Sequence, residues 1–161
     1  MQEKETVNPA ELTELSAVPE NGRLLALDLG TKRIGVALSD ELRITTRPLE
    51  NLTVSSWKKL LARVKELIAE FDAKALVIGL PLESDGSESE MSIYARETAR
   101  KFELSLDIPV VLQDERATSY EAKGRLWGRG VDTVRDRGLV DSEAAAIILA
   151  DLIDRMGSPR H

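Results

Sequence analysis

The segment Leu24–Asp40, LLALDLGTKRIGVALSD, constrains this chain more than any other. An apolar run from Leu24 to Leu27 ends in Asp28. The turn Gly30-Thr31-Lys32-Arg33 follows, and a second apolar run spans Ile34 to Leu38. Two short apolar runs around a Gly-bearing turn read as a β-hairpin. Its first strand carries an acid between Leu27 and Leu29. Burying such a carboxylate is costly unless something pairs with it. A divalent cation shared with acids from later in the chain is the natural partner.

Composition narrows the chemistry further. Among 161 residues there is no cysteine, and the one histidine is His161, the last residue. Disulfides, thiolate nucleophiles and Cys-based zinc sites are excluded, as are Ser-His-Asp, His-pair and HExxH chemistries. Catalysis therefore falls to carboxylates working with hard cations that prefer oxygen ligands. No apolar stretch is long enough to span a membrane, and the N-terminal residues show no signal-peptide core. The expectation is a cytoplasmic protein with no membrane partner.

The net charge of −6 argues mildly against a nucleic-acid partner, but its distribution softens the argument. Residues 1–22 hold five Glu and one Lys, so they carry −4 of the total. Between 116 and 137 the sign changes: Arg116, Lys123, Arg125, Arg129, Arg135 and Arg137 outnumber Glu121, Asp132 and Asp136. A basic segment in an acidic chain is a candidate phosphate contact.

The expected organisation is an acidic, disordered tail over 1–22, one folded domain over 23–156 and a frayed C-terminus over 157–161. Strands are expected at 24–29, 34–39 and about 47–53. Ser55 or Ser56 can cap a helix over 57–71, where Trp57, Leu60, Leu61, Val64, Leu67, Ile68 and Phe71 keep helical spacing. A strand at 75–80 is stopped by Pro81. A helix follows at about 88–105, then a strand at 108–112 leading to Gln113-Asp114-Glu115. A short helix is expected at 118–127, a glycine-bracketed basic connector around Gly128, Gly130 and Gly138, and a last helix at about 142–156. The fold class is α/β: a mixed sheet, with an antiparallel three-strand meander and then parallel crossover strands, flanked by helices. Sites in such sheets gather at the carboxyl ends of the parallel strands.

Three acids stand at junctions: Asp28 at the end of the first strand, Glu115 beside Asp114 at the end of a later one, and Asp141 opening the last helix. Carboxylates converging from separate elements suit two-metal phosphoryl chemistry. Asp141 reads equally well as a helix N-cap, and Glu115 as an ion-pair partner of Arg116. Asp28 has no comparable structural role. Asp114 or Glu143 is a candidate fourth carboxylate.

These residues carry a resemblance. Asp28-Leu-Gly-Thr-Lys32-Arg33-Ile-Gly35-Val-Ala-Leu-Ser39-Asp40 resembles the opening motif of the YqgF family, Holliday junction resolvases of ribonuclease H-like fold. Val77-Ile78-Gly79-Leu80-Pro81-Leu82 with Asp85-Gly86-Ser87, then Asp114-Glu115-Arg116 with Thr118-Ser119, then Val140-Asp141 with Ala144-Ala145 are similar to three further family motifs in order. The resemblance spans about residues 23–156. Two residues depart from the family pattern, Glu83 after Pro-Leu and Ser89 after the Asp-Gly-Ser segment, and neither is one of the acids. An Asp-Leu-Gly-Thr hairpin also opens the sugar kinase, Hsp70 and actin group, but that group needs two such domains around a nucleotide cleft.

The resemblance implies a ribonuclease H-like nuclease in which Asp28, Glu115 and Asp141 are the catalytic, metal-binding acids for two Mg2+ or Mn2+ ions. Lys32, Arg33, Arg116, Arg135 and Arg137 are the candidate nucleic-acid contacts. The implied substrate is structured RNA, the 5′ end of precursor 16S ribosomal RNA on pre-ribosomal particles. Branched DNA is the alternative, and a non-catalytic ribosome-assembly or nucleic-acid-binding factor is a third reading. The 57–71 helix spends its one apolar stripe on its own core, and its other face reads Lys58, Lys59, Arg63, Lys65, Glu66 and Glu70. A monomer or weak homodimer is expected.

Overall fold

The structure, a computed structural model, describes residues 15–115 and 137–157, without the side chains of 137–141 and 157. The chain begins with a hairpin and a third strand: β1 (Leu24–Leu29), β2 (Arg33–Ser39) and β3 (Thr46–Thr53). Helix α1 (Trp57–Phe71), strand β4 (Ala75–Leu80), helix α2 (Glu90–Ser105) and strand β5 (Val110–Asp114) follow, then helix α3 (Arg137–Gly157). The five strands lie in the order β3-β2-β1-β4-β5. β1 pairs antiparallel with β2, and β2 with β3, while β1–β4 and β4–β5 are parallel. This is the expected meander plus crossovers.

Alternation along the strands divides the core into two layers. Leu25, Leu27, Ile34, Val36, Leu76 and Ile78 point to one face, where Val64 and Leu67 of α1 and Ala95, Ala99 and Phe102 of α2 cover them. Leu24, Ala26, Ala37, Ala75, Val77 and Val111 point to the other, under Ala145, Ile148, Leu149 and Leu152 of α3. By the same alternation Asp28 and Glu115 belong to the α3 face.

Local chemistry sets the element ends. Ser56 caps α1, its side chain accepting from Lys59 N at 3.1 Å. The helix stops where Asp72 takes a left-handed φ of 54°. Ser89 and Ser92 form a reciprocal capping box at the start of α2, so that helix begins at Glu90 and not at 88. Pro48 has no N–H to give to the ladder, and β3 absorbs it on the sheet edge beside a bulge between the Val36↔Glu50 and Ala37↔Pro48 pairs. Gly30 is required at the hairpin turn: its N–H donates to Arg33 O at 2.9 Å, and a Cβ there would sit 2.6 Å from that oxygen.

Four expectations need correction or limits. β5 runs over Val110–Asp114, two residues later than 108–112, because Pro109 offers only its carbonyl, which Leu76 N binds at 2.9 Å. α3 starts at Arg137, so Gly138 belongs to the helix and Asp141 lies inside it, not at its N-cap. Residues 15–22 are part of the fold: Leu15–Ala17 form a 3-10 turn, and Val18 is buried in the α3-side core. The short helix expected at 118–127 lies outside the described residues. Among the described residues no helix is long and apolar enough to cross a membrane.

Candidate active site

The hairpin register pairs Asp28 with Gly35, and the parallel register continues β1 into Leu27↔Ile78 and β4 into Leu80↔Asp114. Glu115 extends that ladder by one step, its N–H donating to Leu80 O at 3.1 Å. The carboxyl ends of the three parallel strands thus deliver Asp28 and Glu115 to one face of the sheet. The strand between them contributes Gly79, which has no side chain. A Cβ at Gly79 would lie 3.0 Å from Glu115 Oε1 and 2.7 Å from Ile148 Cδ1 of α3. The glycine makes the space in which the two acids meet under the helix.

Glu115 is 5% exposed. Burial pushes its carboxyl up to about 10, with the Asp28 charge, a hydrogen bond to Asp28 and the Asp114 charge adding to the rise. At neutral pH the metal-free site therefore holds a proton between two carboxyl groups. Glu115 Oε1 is buried and has no hydrogen-bond partner. A buried oxygen with full acceptor capacity, next to a second carboxylate, is costly for the protein alone and suited to a hard cation. Two neighbouring carboxyl groups, one with an open oxygen, make a donor set that would fit Mg2+ or Mn2+.

The described residues do not hold a cluster of three acidic or other metal-ligating side chains. Asp114 lies next to Glu115 in the chain but on the opposite sheet face. Position 141 falls in α3, where 141, 145, 148 and 152 form one helical row, and Ala145, Ile148 and Leu152 of that row are fully buried against the sheet. The Asp141 side chain itself lies outside the described residues. Glu143, the other candidate fourth carboxylate, is buried in the same helix.

The basic candidates are only partly placed. Lys32 is exposed in the β1–β2 turn, and Arg33 opens β2 two residues before Gly35, on the acids' face. Arg116, Arg135 and the side chain of Arg137 lie outside the described residues. Sequence reasoning quoted Gly79 only as part of a motif and missed its spatial role. The signal was present, since a glycine in the middle of a buried strand marks a close approach. It also missed Gln113, which shares the acids' face and accepts a hydrogen bond from Arg155 Nη1, tying the far end of α3 to β5.

Comparison with known proteins follows the same outline. Residues 22–155 match the RuvX family, described as Holliday junction resolvase. A relative from Anaeromyxobacter dehalogenans, named "Putative pre-16S rRNA nuclease", is 41% identical over 133 residues, covering 83% of this chain and 97% of its own. A protein of the same name from Thiobacillus denitrificans is 40% identical over 141 residues, covering 87% and 97%. Among solved structures, Thermus thermophilus RuvC in complex with Holliday junction substrate superposes with a TM-score of 0.52 at 19% identity, covering 85% of this chain and 97% of that one. At that identity the likeness concerns the fold, which is the ribonuclease H-like arrangement of RuvC.

Proposed function

The chain belongs to the RuvX family of Holliday junction resolvases, and on that premise we propose that it is a metal-dependent nuclease maturing the 5′ end of precursor 16S ribosomal RNA in the cytoplasm. The observation that carries this reading is the pairing of buried Glu115 with half-buried Asp28, Glu115 Oε1 standing unpartnered beside Gly79. The relatives' shared name supports the RNA substrate.

Asp28, Glu115 and Asp141 are the proposed ligands of two Mg2+ or Mn2+ ions. When bound, such ions activate a water and neutralise the leaving oxygen of a phosphodiester. The chain's own part is to fix carboxylate positions on a rigid sheet, so that little reorganisation remains for the reaction itself. Loss of the shared proton from Glu115 must accompany loading of the site, because the ligating form is the carboxylate. Lys32 and Arg33 stand at the mouth of the acids' end of the sheet, where they hold the phosphate backbone, assisted by Arg116, Arg135 and Arg137. The protein acts as a monomer or weak homodimer on pre-ribosomal particles.

The family description favours a second reading, resolution of branched DNA. The two separate in one experiment: purified protein with Mg2+, given a precursor 16S fragment and a four-way junction side by side. Preferential cleavage near the RNA 5′ end is expected. Paired symmetric nicks in the junction by a tight dimer would replace the RNA reading with the resolvase one.

A further inference from the structure

On the sheet face away from the acids, a cleft of about 450 Å3 opens between the ends of β2 and β3 and the helices α1 and α2. Ile34, one step along β2 from the Asp28–Gly35 pair, forms part of its wall. Val54 N donates to Lys32 O at 2.9 Å, so the cleft's edge is tied to the β1–β2 turn that separates it from the acids.

Its lining is unusual for this protein. Among the described residues no Asp or Glu contributes, although the chain as a whole carries a charge of −6. Trp57 and Tyr94 supply aromatic surface, and Lys59 and Lys101 supply two ammonium groups. Arg63 also lines the cleft, but its guanidinium is already held by Glu50 at 2.7 Å and Glu66 at 2.8 Å. Lys59 and Lys101 have no carboxylate partner among the described residues. Lys101 Nζ lies 5.4 Å from the Trp57 ring centroid, and Phe102 meets that ring edge-on at 4.7 Å, which fixes its orientation. Ser55 and Thr98 complete the wall.

Aromatic rings beside cations that no carboxylate neutralises complement one molecular shape: a planar base joined to a phosphate. The volume suits a small ligand of that size. We propose that this cleft binds a single nucleotide unit, the base against Trp57 and Tyr94 and the phosphate between Lys59 and Lys101. The unit is either an unstacked residue of a nucleic-acid strand passing over the β1–β2 turn or a free mononucleotide. The strand source rests on the nuclease reading; the cleft's affinity for the unit does not.

The chain has two tryptophans, Trp57 and Trp127. In the Trp127→Phe protein the fluorescence reports Trp57 alone. Titrations in EDTA, where cleavage cannot occur, use AMP, UMP, a single-stranded RNA hexamer, a blunt RNA duplex and a glutamate-rich peptide. Calorimetry on the unsubstituted protein repeats each one. Saturable quenching by the mononucleotides or the hexamer is expected, at least tenfold weaker in Lys59→Ala/Lys101→Ala and unchanged in Lys65→Ala, a change on α1 outside the cleft. The double variant should also flatten the salt dependence of hexamer binding by a slope of roughly 0.7 for each phosphate no longer neutralised. Quenching by the hexamer but not by mononucleotides identifies the strand source, and the converse the free one. Absence of saturable binding, equal binding of the acidic peptide, or affinity indifferent to the two lysines overturns the proposal. Cleavage that persists without cleft binding leaves the nuclease reading standing, and cleft binding without cleavage does the reverse.

Discussion

Replacing Glu115 by Gln should make the metal-free protein more stable at neutral pH, by an amount that depends on pH in a defined way. The carboxyl group's ordinary value of 4.5 is raised to about 10 in the native state. Between those values the folded protein binds a proton that the unfolded chain does not. Stability therefore falls as pH rises, by about 1.4 kcal/mol per pH unit for one proton. From pH 4.5 to pH 7 the cost accumulates to roughly 3 kcal/mol, a ceiling because Asp28 titrates jointly with Glu115. Glutamine is isosteric, cannot ionise and escapes that cost. For a chain of this size the gain corresponds to a rise in Tm of roughly 6–12 °C at pH 7 and almost none at pH 4.5. The assay is thermal unfolding of both proteins in EDTA from pH 4.5 to 8. Mg2+ should then stabilise the parent protein more than the variant, because the cation favours the ionised carboxylate. A stability difference that stays flat across the pH range, or a variant less stable at pH 7, would refute the shared-proton pair.

Asp28→Asn should abolish cleavage while circular dichroism stays native, and EDTA should do the same to the parent protein; turnover surviving either treatment rules out the acid-and-metal site. Gly79→Ala places a Cβ 2.7 Å from Ile148 Cδ1 and 3.0 Å from Glu115 Oε1. Overpacking of this kind costs about 1–3 kcal/mol, and thermal unfolding with Mn2+ titration should show both lower stability and weaker metal binding. Glu88 is held down to about 2, chiefly by its hydrogen bonds to Arg96 and then Ser92. A depressed carboxylate contributes stability above pH 4.5 and loses it as pH falls through its folded value. Arg96→Ala should accordingly destabilise at pH 7 and progressively less toward pH 2, as read by denaturant midpoints. Arg135→Ala or Arg137→Ala should lower the salt slope of duplex DNA binding by roughly 0.9 for each phosphate that the missing guanidinium had neutralised.

The meander, α1 and β4 are legible because their signals are local. Apolar runs between turn residues and a Ser-capped helical stripe need no knowledge of the rest of the chain. The acids Asp28 and Glu115 are legible for a related reason, since each breaks an apolar pattern at a strand end. The misplaced features all depend on long-range packing. Gly138 reads locally as a break, but burial of the 145, 148, 152 row against the sheet extends α3 back past it. Polar Gln113 and Asp114 read as loop, yet the β4 ladder carries them into β5. Val18 looks like one apolar residue in an acidic tail until the underside of α3 and the adjoining strands receive it. Gly79 has meaning only once β1, β5 and α3 surround it.

The strand order has a consequence for when this enzyme becomes active. Asp28 is made early and its hairpin partners are its immediate neighbours, so β1–β3 can form as soon as they leave the ribosome. Its acid partner arrives only with β5, and the helix that roofs the pair arrives last. A nascent chain carrying residues up to β4 has Asp28 without Glu115, so the proposed cation site lacks its second carboxylate. On the proposed function, a nuclease synthesised on a ribosome is thus inert until synthesis is nearly complete. Fragments truncated before β5 should fold their meander at most and leave RNA intact.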